Sequence, residues 1–539
     1  MYCVKCGREI PEDALFCPEC GCQQENNMKN TTDELVEEVS NKSTKETDIR
    51  KKWMILLFIC CLILIVAIIW GIIIIIQKQQ SEAALADEII EETTIEVTEE
   101  ETVTVEEVVP PELLIEGKLL VCVPADYMSL RSTPGLGEDV VDTLLAGTYL
   151  EWNGESSVVD ELTFYYVKVI DGGKEGYVSS DYCVDVSCFT DESKLGLVET
   201  DSTAYTYEMM QEDIVQLCAD YPDRLSYNTI GNSIDGRDIY EVVLGNPNAE
   251  QHIMLQAAIH GREYMNTQLV MRLLEFYAAY YDEANHYNVT YRDLFEKTAF
   301  HIVPMANPDG VTISLQGVQY LNYAEYADYI YECYERDKYS LVLELDSNGY
   351  PNWVDYYKDP NFVRDPSERE ITFEEYQTIW KANVTGTDLN NNFDAGWESI
   401  DLKPMPSYGG FKGYFPVSEP ESFALQELAL SKDFLCYISY HSRGQLIYYD
   451  VNGNSPENSQ RSEQFVNFMK DVLKYKPSNN QRAYGVNLGG FGDWVQLSLE
   501  KPSITVESGK GICPLDIQEF DGIWYRHKES WAKLAYEYY

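Results

Sequence analysis

Ile253-Met254-Leu255-Gln256-Ala257-Ala258-Ile259-His260-Gly261-Arg262-Glu263 is an apolar run that ends on a histidine and a carboxylate three residues apart. Read as a buried strand entering a polar turn, it predicts an α/β fold that presents both side chains at a sheet edge, where such folds keep their chemistry. His260 plus Glu263 is two thirds of a His2Glu zinc site, a donor set that leaves a fourth position open for water. The spacing alone is a weak signal, because it arises by chance and a strand-end histidine needs no metal. A third ligand has to come from elsewhere, and the chain holds only six histidines. Among them, His441 follows Phe434-Leu435-Cys436-Tyr437-Ile438-Ser439-Tyr440, which reads as a second buried strand closing on the turn Ser442-Arg443-Gly444. A general base is supplied by Glu507, at the end of the β-branched run Pro502-Ser503-Ile504-Thr505-Val506.

Further motifs fall in a fixed order around these. Gly231-Asn232-Ser233-Ile234-Asp235-Gly236-Arg237-Asp238-Ile239 precedes the first stretch. Gly386-Thr387-Asp388-Leu389-Asn390-Asn391-Asn392-Phe393, Tyr440-His441-Ser442, Gly489-Gly490-Phe491-Gly492-Asp493-Trp494 and Thr505-Val506-Glu507 follow it. In this order, residues 197–539 resemble the M14 zinc carboxypeptidases. The resemblance implies a mixed eight-stranded sheet flanked by helices, a catalytic Zn2+ on His260, Glu263 and His441, and Glu507 as the base that activates water. It also implies substrate-binding positions at Asn390, Asn391 and Tyr484, the last at or beside the family's capping tyrosine. One departure stands out. Members of the family usually carry arginine where this chain has Asn391, and the bidentate grip of that arginine on a C-terminal carboxylate is not available to an asparagine. The arginine credited with steadying the oxyanion is not evident either, which leaves Arg364, Arg369 or Arg443 as substitutes.

With Asp+Glu at 90 against Lys+Arg at 40, the chain is far too acidic for a nucleic-acid partner. At 539 residues it is too long for one domain. Residues 1–22 carry Cys3-Val4-Lys5-Cys6 and Cys17-Pro18-Glu19-Cys20, a thiolate set suited to a closed structural zinc, and resemble a zinc ribbon. Such a site predicts reduced thiols and a cytosolic N-terminus, with a cytosolic partner of unknown identity. Residues 23–52 read as a linker. Residues 53–76 form an uncharged apolar run longer than the roughly 20 residues a bilayer needs, and predict one transmembrane helix. Arg50-Lys51-Lys52 before it and the acidic tether of 77–112 after it orient the bulk of the chain outside the cell membrane. Residues 113–190 resemble a bacterial SH3-like domain through Leu130-Arg131-Ser132-Thr133-Pro134 and Gly176-Tyr177-Val178-Ser179-Ser180-Asp181-Tyr182, which implies a small β-barrel ahead of the catalytic domain.

An extracellular peptidase beside a module of that kind resembles those M14 members that cut peptidoglycan stem peptides between γ-D-Glu and the diamino acid. Arg443 is then the candidate to engage the free α-carboxylate on the acyl side. The alternatives are an ordinary metallocarboxypeptidase acting on protein peptides, a wall-peptide sensor signalling to the zinc ribbon, and a cysteine peptidase with Cys436 as nucleophile. The Tyr-rich segment 316–380 is expected to be an insertion, either rimming the cleft or packing a subdomain of its own.

Overall fold

The computed structural model describes residues 118–539 except 125–126, 138, 187–191, 283–284, 287, 347–348 and 480–488. The zinc ribbon with Cys3, Cys6, Cys17 and Cys20, the linker, the run 53–76, the acidic tether and Tyr484 lie outside the described residues. Among the described residues no helix is long and apolar enough to cross a membrane.

The first body of structure is all β. Strands β1 (Lys118–Cys122), β2 (Met128–Arg131), β3 (Val140–Leu144), β4 (Tyr149–Val159), β5 (Leu162–Val169), β6 (Glu175–Ser179) and β7 (Cys183–Asp185) form one antiparallel seven-stranded sheet of order β3-β2-β6-β5-β4-β1-β7. Alternation along these strands sends Leu120, Leu130, Leu150, Val167 and Val178 into one small core. The module packs on the C-terminal helices Phe520–His527 and Ser530–Glu537 of the larger domain. Arg526 is buried there, and its guanidinium donates to Val123 O at 3.2 Å and Asp181 O at 3.4 Å. Gly147 has φ +83°, and a Cβ on it would lie 2.7 Å from the Tyr525 ring, so the turn touching the larger domain admits no side chain.

The larger domain is a mixed α/β layer structure. Its strands are β8 (Leu225–Asn232), β9 (Asp238–Leu244), β10 (Gln251–Ala257), a short pair β11 (Asn285–His286) and β12 (Val289–Thr290), and β13 (Thr298–Val303). A hairpin of β14 (Leu341–Leu345) and β15 (Pro351–Asp355) follows, then β16 (Tyr437–Ser442), β17 (Leu446–Tyr448), β18 (Lys476–Ser478) and β19 (Ser503–Ser508). Eight of them make the sheet β18-β17-β19-β16-β10-β13-β9-β8, with β13, β10, β16 and β19 mutually parallel at its centre. Central parallel strands covered on both faces read as continuous apolar runs, which is why β10 and β13 carry so little alternation.

The helical periodicities over Tyr207–Tyr221 and Thr267–Tyr281 appear as helices Tyr207–Asp220 and Met265–Ala279. Thr206 sets the start of the first by accepting a hydrogen bond from Met209 N at 3.3 Å. The apolar run over Phe434–Tyr440 predicts a strand there, but β16 runs from Tyr437 to Ser442. Phe434 and Cys436 are buried ahead of it, and the chain there already bonds to β10: Leu435 N donates to His252 O at 2.8 Å and Met254 N donates to Cys436 O at 3.3 Å. The segment 316–380 packs a subdomain of its own around Ile330, Leu341, Tyr376 and Trp380, with Tyr326, Tyr329 and Tyr334 against it.

Candidate metal and catalytic site

The C-terminal ends of β10, β16 and β19 lie side by side, and each delivers one part of the site. After Ala257 the chain turns sharply: Ala258 adopts φ +53°, a left-handed conformation that an alanine rarely takes. Two residues later His260 leads into the single turn Gly261–Glu263. Gly261 is held against the next crossover, where a Cβ would meet Gly310 O at 2.3 Å. Gly261 N donates to Lys381 O at 3.0 Å, and Asn307 Nδ2 donates to Ile259 O at 3.0 Å and Ala382 O at 3.1 Å. This mesh fixes the turn. His441 sits in β16 directly opposite Glu507 in β19.

The three sequence-predicted ligands converge. His260 Nδ1 lies 2.8 Å from Glu263 Oε1, His441 Nδ1 lies 3.0 Å from Glu263 Oε2, and the two Nδ1 atoms face each other at 3.2 Å. All three residues are buried, and their ligand atoms lie within 4.8 Å of one another. As donors to Glu263, the two imidazoles would drive one N–H against the other; as acceptors, they would leave a buried carboxylate without protons; with one of each, a bare Nδ1 would face a carboxylate oxygen with no proton between them. A cation between them satisfies all three at once. Two imidazole nitrogens and one carboxylate are a zinc donor set. On the outer side of His260, Nε2 lies 3.3 Å from Asp388 Oδ1, a neighbour that favours a proton on Nε2 and would leave Nδ1 for a metal. Asp388 in turn accepts from Gly410 N at 2.9 Å and lies 3.6 Å from Lys381 Nζ. Ser442 N donates to Glu263 Oε2 at 3.2 Å.

The charges follow from this packing. Burial alone would raise Glu263, but the two imidazoles outweigh it and hold the carboxyl well below its ordinary range. Asp388 is likewise lowered, against burial, by Lys381 and His260. Glu507 moves the other way: burial, reinforced by the negative Glu263, pushes it up to about 7, while His441, Lys381 and Arg262 pull it back. A carboxyl titrating that high can both take and return a proton near neutrality.

At this edge the chain is matched by a family model for zinc carboxypeptidases, over residues 210–515. The chain belongs to the M14 zinc carboxypeptidase family. It is a zinc metallopeptidase, with a bacterial SH3 domain matched over 126–183 and a zinc ribbon over 2–23. The zinc carboxypeptidase domain is 29% identical over 323 residues to γ-D-glutamyl-L-diamino acid endopeptidase 1 of Lysinibacillus sphaericus, covering 59% of this chain and 69% of that one. To the uncharacterized protein YqgT of Bacillus subtilis it is 28% identical over 324 residues, covering 59% and 74%. The solved carboxypeptidase A of Helicoverpa armigera matches 64% of this chain and 79% of its own at 19% identity, with a TM-score of 0.41.

Other expected site residues are placed differently. Asn390 is engaged structurally: its Oδ1 accepts from Phe491 N at 3.1 Å, which ties the turn Leu389–Asn391 to the Gly489-Gly490 loop. Asn391 ends that turn half-buried. Arg364 and Arg369 do not serve the site. Arg364 donates to Lys338 O at 2.7 Å, and Arg369 forms a bidentate pair with Glu375, both within the inserted subdomain. The cations acting on Glu507 are Lys381 and Arg262 instead. Sequence reasoning missed both. Arg262 lay in plain view within the ligand turn, whereas Lys381 is brought in by long-range bonds to Gly261 N, Asn307 Nδ2 and Tyr408 O. Arg443 reaches the same edge, with its NH1 2.8 Å from Asp346 Oδ2 and 3.4 Å from Lys510 O. Cys436 is fully buried and burial pushes its thiol up, which removes it as a nucleophile.

Proposed function

We propose that this chain is an extracellular zinc peptidase, anchored by one transmembrane helix over 53–76, that hydrolyses the γ-D-glutamyl–diamino acid bond of peptidoglycan stem peptides. The observation that carries the reading is the pairing of a complete His260–Glu263–His441 donor set beside Glu507 with an asparagine, Asn391, where a C-terminal carboxylate clamp would stand. The chemistry of a peptidase is kept and the means of selecting a free C-terminus is not. The similarity to a γ-D-glutamyl-L-diamino acid endopeptidase over most of the catalytic domain supports the same substrate class.

His260, Glu263 and His441 would hold the zinc ion, which would supply Lewis acidity to the site. Glu507, one strand over from His441, takes the proton of the attacking water and returns it to the leaving amine. Lys381 and Arg262 bring positive charge to the edge where the carbonyl oxygen becomes an anion, a preorganised compensation that water cannot match. Asp388 orients His260, and Lys381 keeps Asp388 ionised. The SH3 module, held against Tyr525 and Arg526, is carried with the catalytic domain rather than on a free linker. The acidic tether places both beyond the membrane surface, and the zinc ribbon, with Cys3, Cys6, Cys17 and Cys20 as ligands, stays in the cytosol.

The test is product analysis. The full chain, purified in mild detergent and loaded with zinc, is incubated with a defined stem peptide and with an ordinary peptide bearing a free C-terminus. Cleavage at the γ-D-Glu bond is expected. Release of only the terminal residue from either peptide would restore the carboxypeptidase reading, and retention of stem peptide without cleavage would point to a sensor.

A further inference from the structure

The hairpin β14–β15 belongs to the inserted subdomain and, among the described residues, forms a two-stranded sheet of its own. Its turn nevertheless reaches the catalytic edge. Asp346 Oδ1 accepts from Tyr350 N at 2.9 Å and so closes the turn, while Oδ2 takes Arg443 NH1 at 2.8 Å. Arg443 follows β16 directly, two residues beyond the ligand His441, and its NH1 also approaches the loop that leaves β19 after Glu507. The guanidinium thus stands between the end of the catalytic strands and a carboxylate of the insertion.

We propose that Asp346 is a specificity-determining residue: it holds Arg443 as a stand-in for the carboxylate that a substrate brings on the acyl side of its scissile bond, and yields it by exchange when such a substrate binds. This rests on the stem-peptide reading of the site. Exchange is feasible because solvent reaches both partners, whose side chains are 21% and 16% exposed. The pairs that Arg237 makes with Asp235 and Asp309 are a useful contrast, since their side chains are at most 4% exposed and neither carboxylate can leave without stranding a buried charge. The hairpin is anchored at its base, where Leu341 and Val342 are buried, whereas Leu343 and Leu345, toward the turn that carries Asp346, are exposed. A substrate carboxylate can therefore compete with Asp346 for the same guanidinium. The amide of the same substrate, having no charge, does not.

The experiment uses two stem peptides identical except that the D-Glu α-carboxylate is free in one and amidated in the other. kcat/KM is measured for both with the full zinc-loaded chain and with Asp346→Asn, Arg443→Gln and the double variant, each checked for zinc content and melting temperature. Wild type should prefer the free carboxylate. Asp346→Asn should raise kcat/KM severalfold on that peptide alone, through KM, and leave the amidated peptide unchanged. Arg443→Gln should erase the preference, and adding Asp346→Asn to it should change nothing further. The inference is overturned if the preference survives Arg443→Gln, or if Asp346→Asn moves both peptides equally. Cleavage of neither peptide by wild type overturns the stem-peptide reading and this inference with it, whereas cleavage of both with no effect of the variants overturns this inference alone.

Discussion

Two buried charge clusters flank the same sheet and are built on opposite principles. In the turn between β8 and β9, Arg237 pairs with Asp235 and Asp309, and every carboxylate oxygen has a donor: Asp309 accepts from Ser233 Oγ at 2.7 Å and Asp235 N at 2.9 Å, and Asp235 accepts from Asn322 N at 2.7 Å and Tyr323 N at 2.9 Å. That cluster is closed by its own residues. At the ends of β10 and β16, His260, Glu263 and His441 converge just as tightly but leave two imidazole nitrogens opposed at 3.2 Å. That cluster is complete only with a cation. Burial of charge is common to both; what marks the functional one is that its members cannot satisfy each other.

Ways of breaking this contrast differ in size. Removing the metal with a chelator should abolish turnover, and zinc should restore it. His441→Ala should abolish turnover beyond rescue and lose the catalytic zinc while the ribbon zinc remains, as metal analysis would reveal. A variant that keeps both zinc ions would show that His441 is no ligand. Arg237→Ala should cost about 3–5 kcal/mol of stability, because it strands two buried carboxylates. Chemical denaturation reads this directly, and the fraction still folded should retain wild-type zinc content, which separates a structural cluster from a catalytic one. Asp388→Asn should weaken zinc binding by about 10–100-fold with little change in melting temperature of the zinc-saturated protein.

The smallest effect sharpens the electrostatics. Glu507 must be ionised to accept a proton, so kcat/KM falls as pH drops through its pKa, and burial places that limb above the ordinary carboxylate range. Lys381 opposes the shift. Lys381→Met should therefore move the acid limb to higher pH, besides lowering the plateau, and an unmoved limb would mean that Lys381 acts only through Asp388.

The candidate ligands and base were legible because each lies at or just beyond the end of a strand, and strands of the sheet's centre announce themselves as apolar runs. His260, Glu263, His441 and Glu507 could be read in this way from one sequence. The limits of β16 could not, since Phe434 and Cys436 are as apolar as the strand they precede. Lys381 was illegible for a different reason. It lies between a helix and a loop with no periodic pattern, and Gly261 N, Asn307 Nδ2 and Tyr408 O, all distant in sequence, fix it beside the site. The candidate arginines failed as substitutes because an insertion of this size satisfies its own charges, as Arg369 does with Glu375 and Arg364 with backbone carbonyls. Asp346 meets Arg443 across a distance in sequence that no local rule spans.

The most direct test of the central assignment is Glu507→Gln in the full chain, with zinc content and stem-peptide cleavage measured on the same preparation. Zinc content equal to wild type, with cleavage at the γ-D-Glu bond reduced by about 10²–10⁴-fold, is the expected result. Cleavage near the wild-type rate with zinc in place would show that the proton is handled elsewhere and that the pairing of β16 with β19 does not define the catalytic centre.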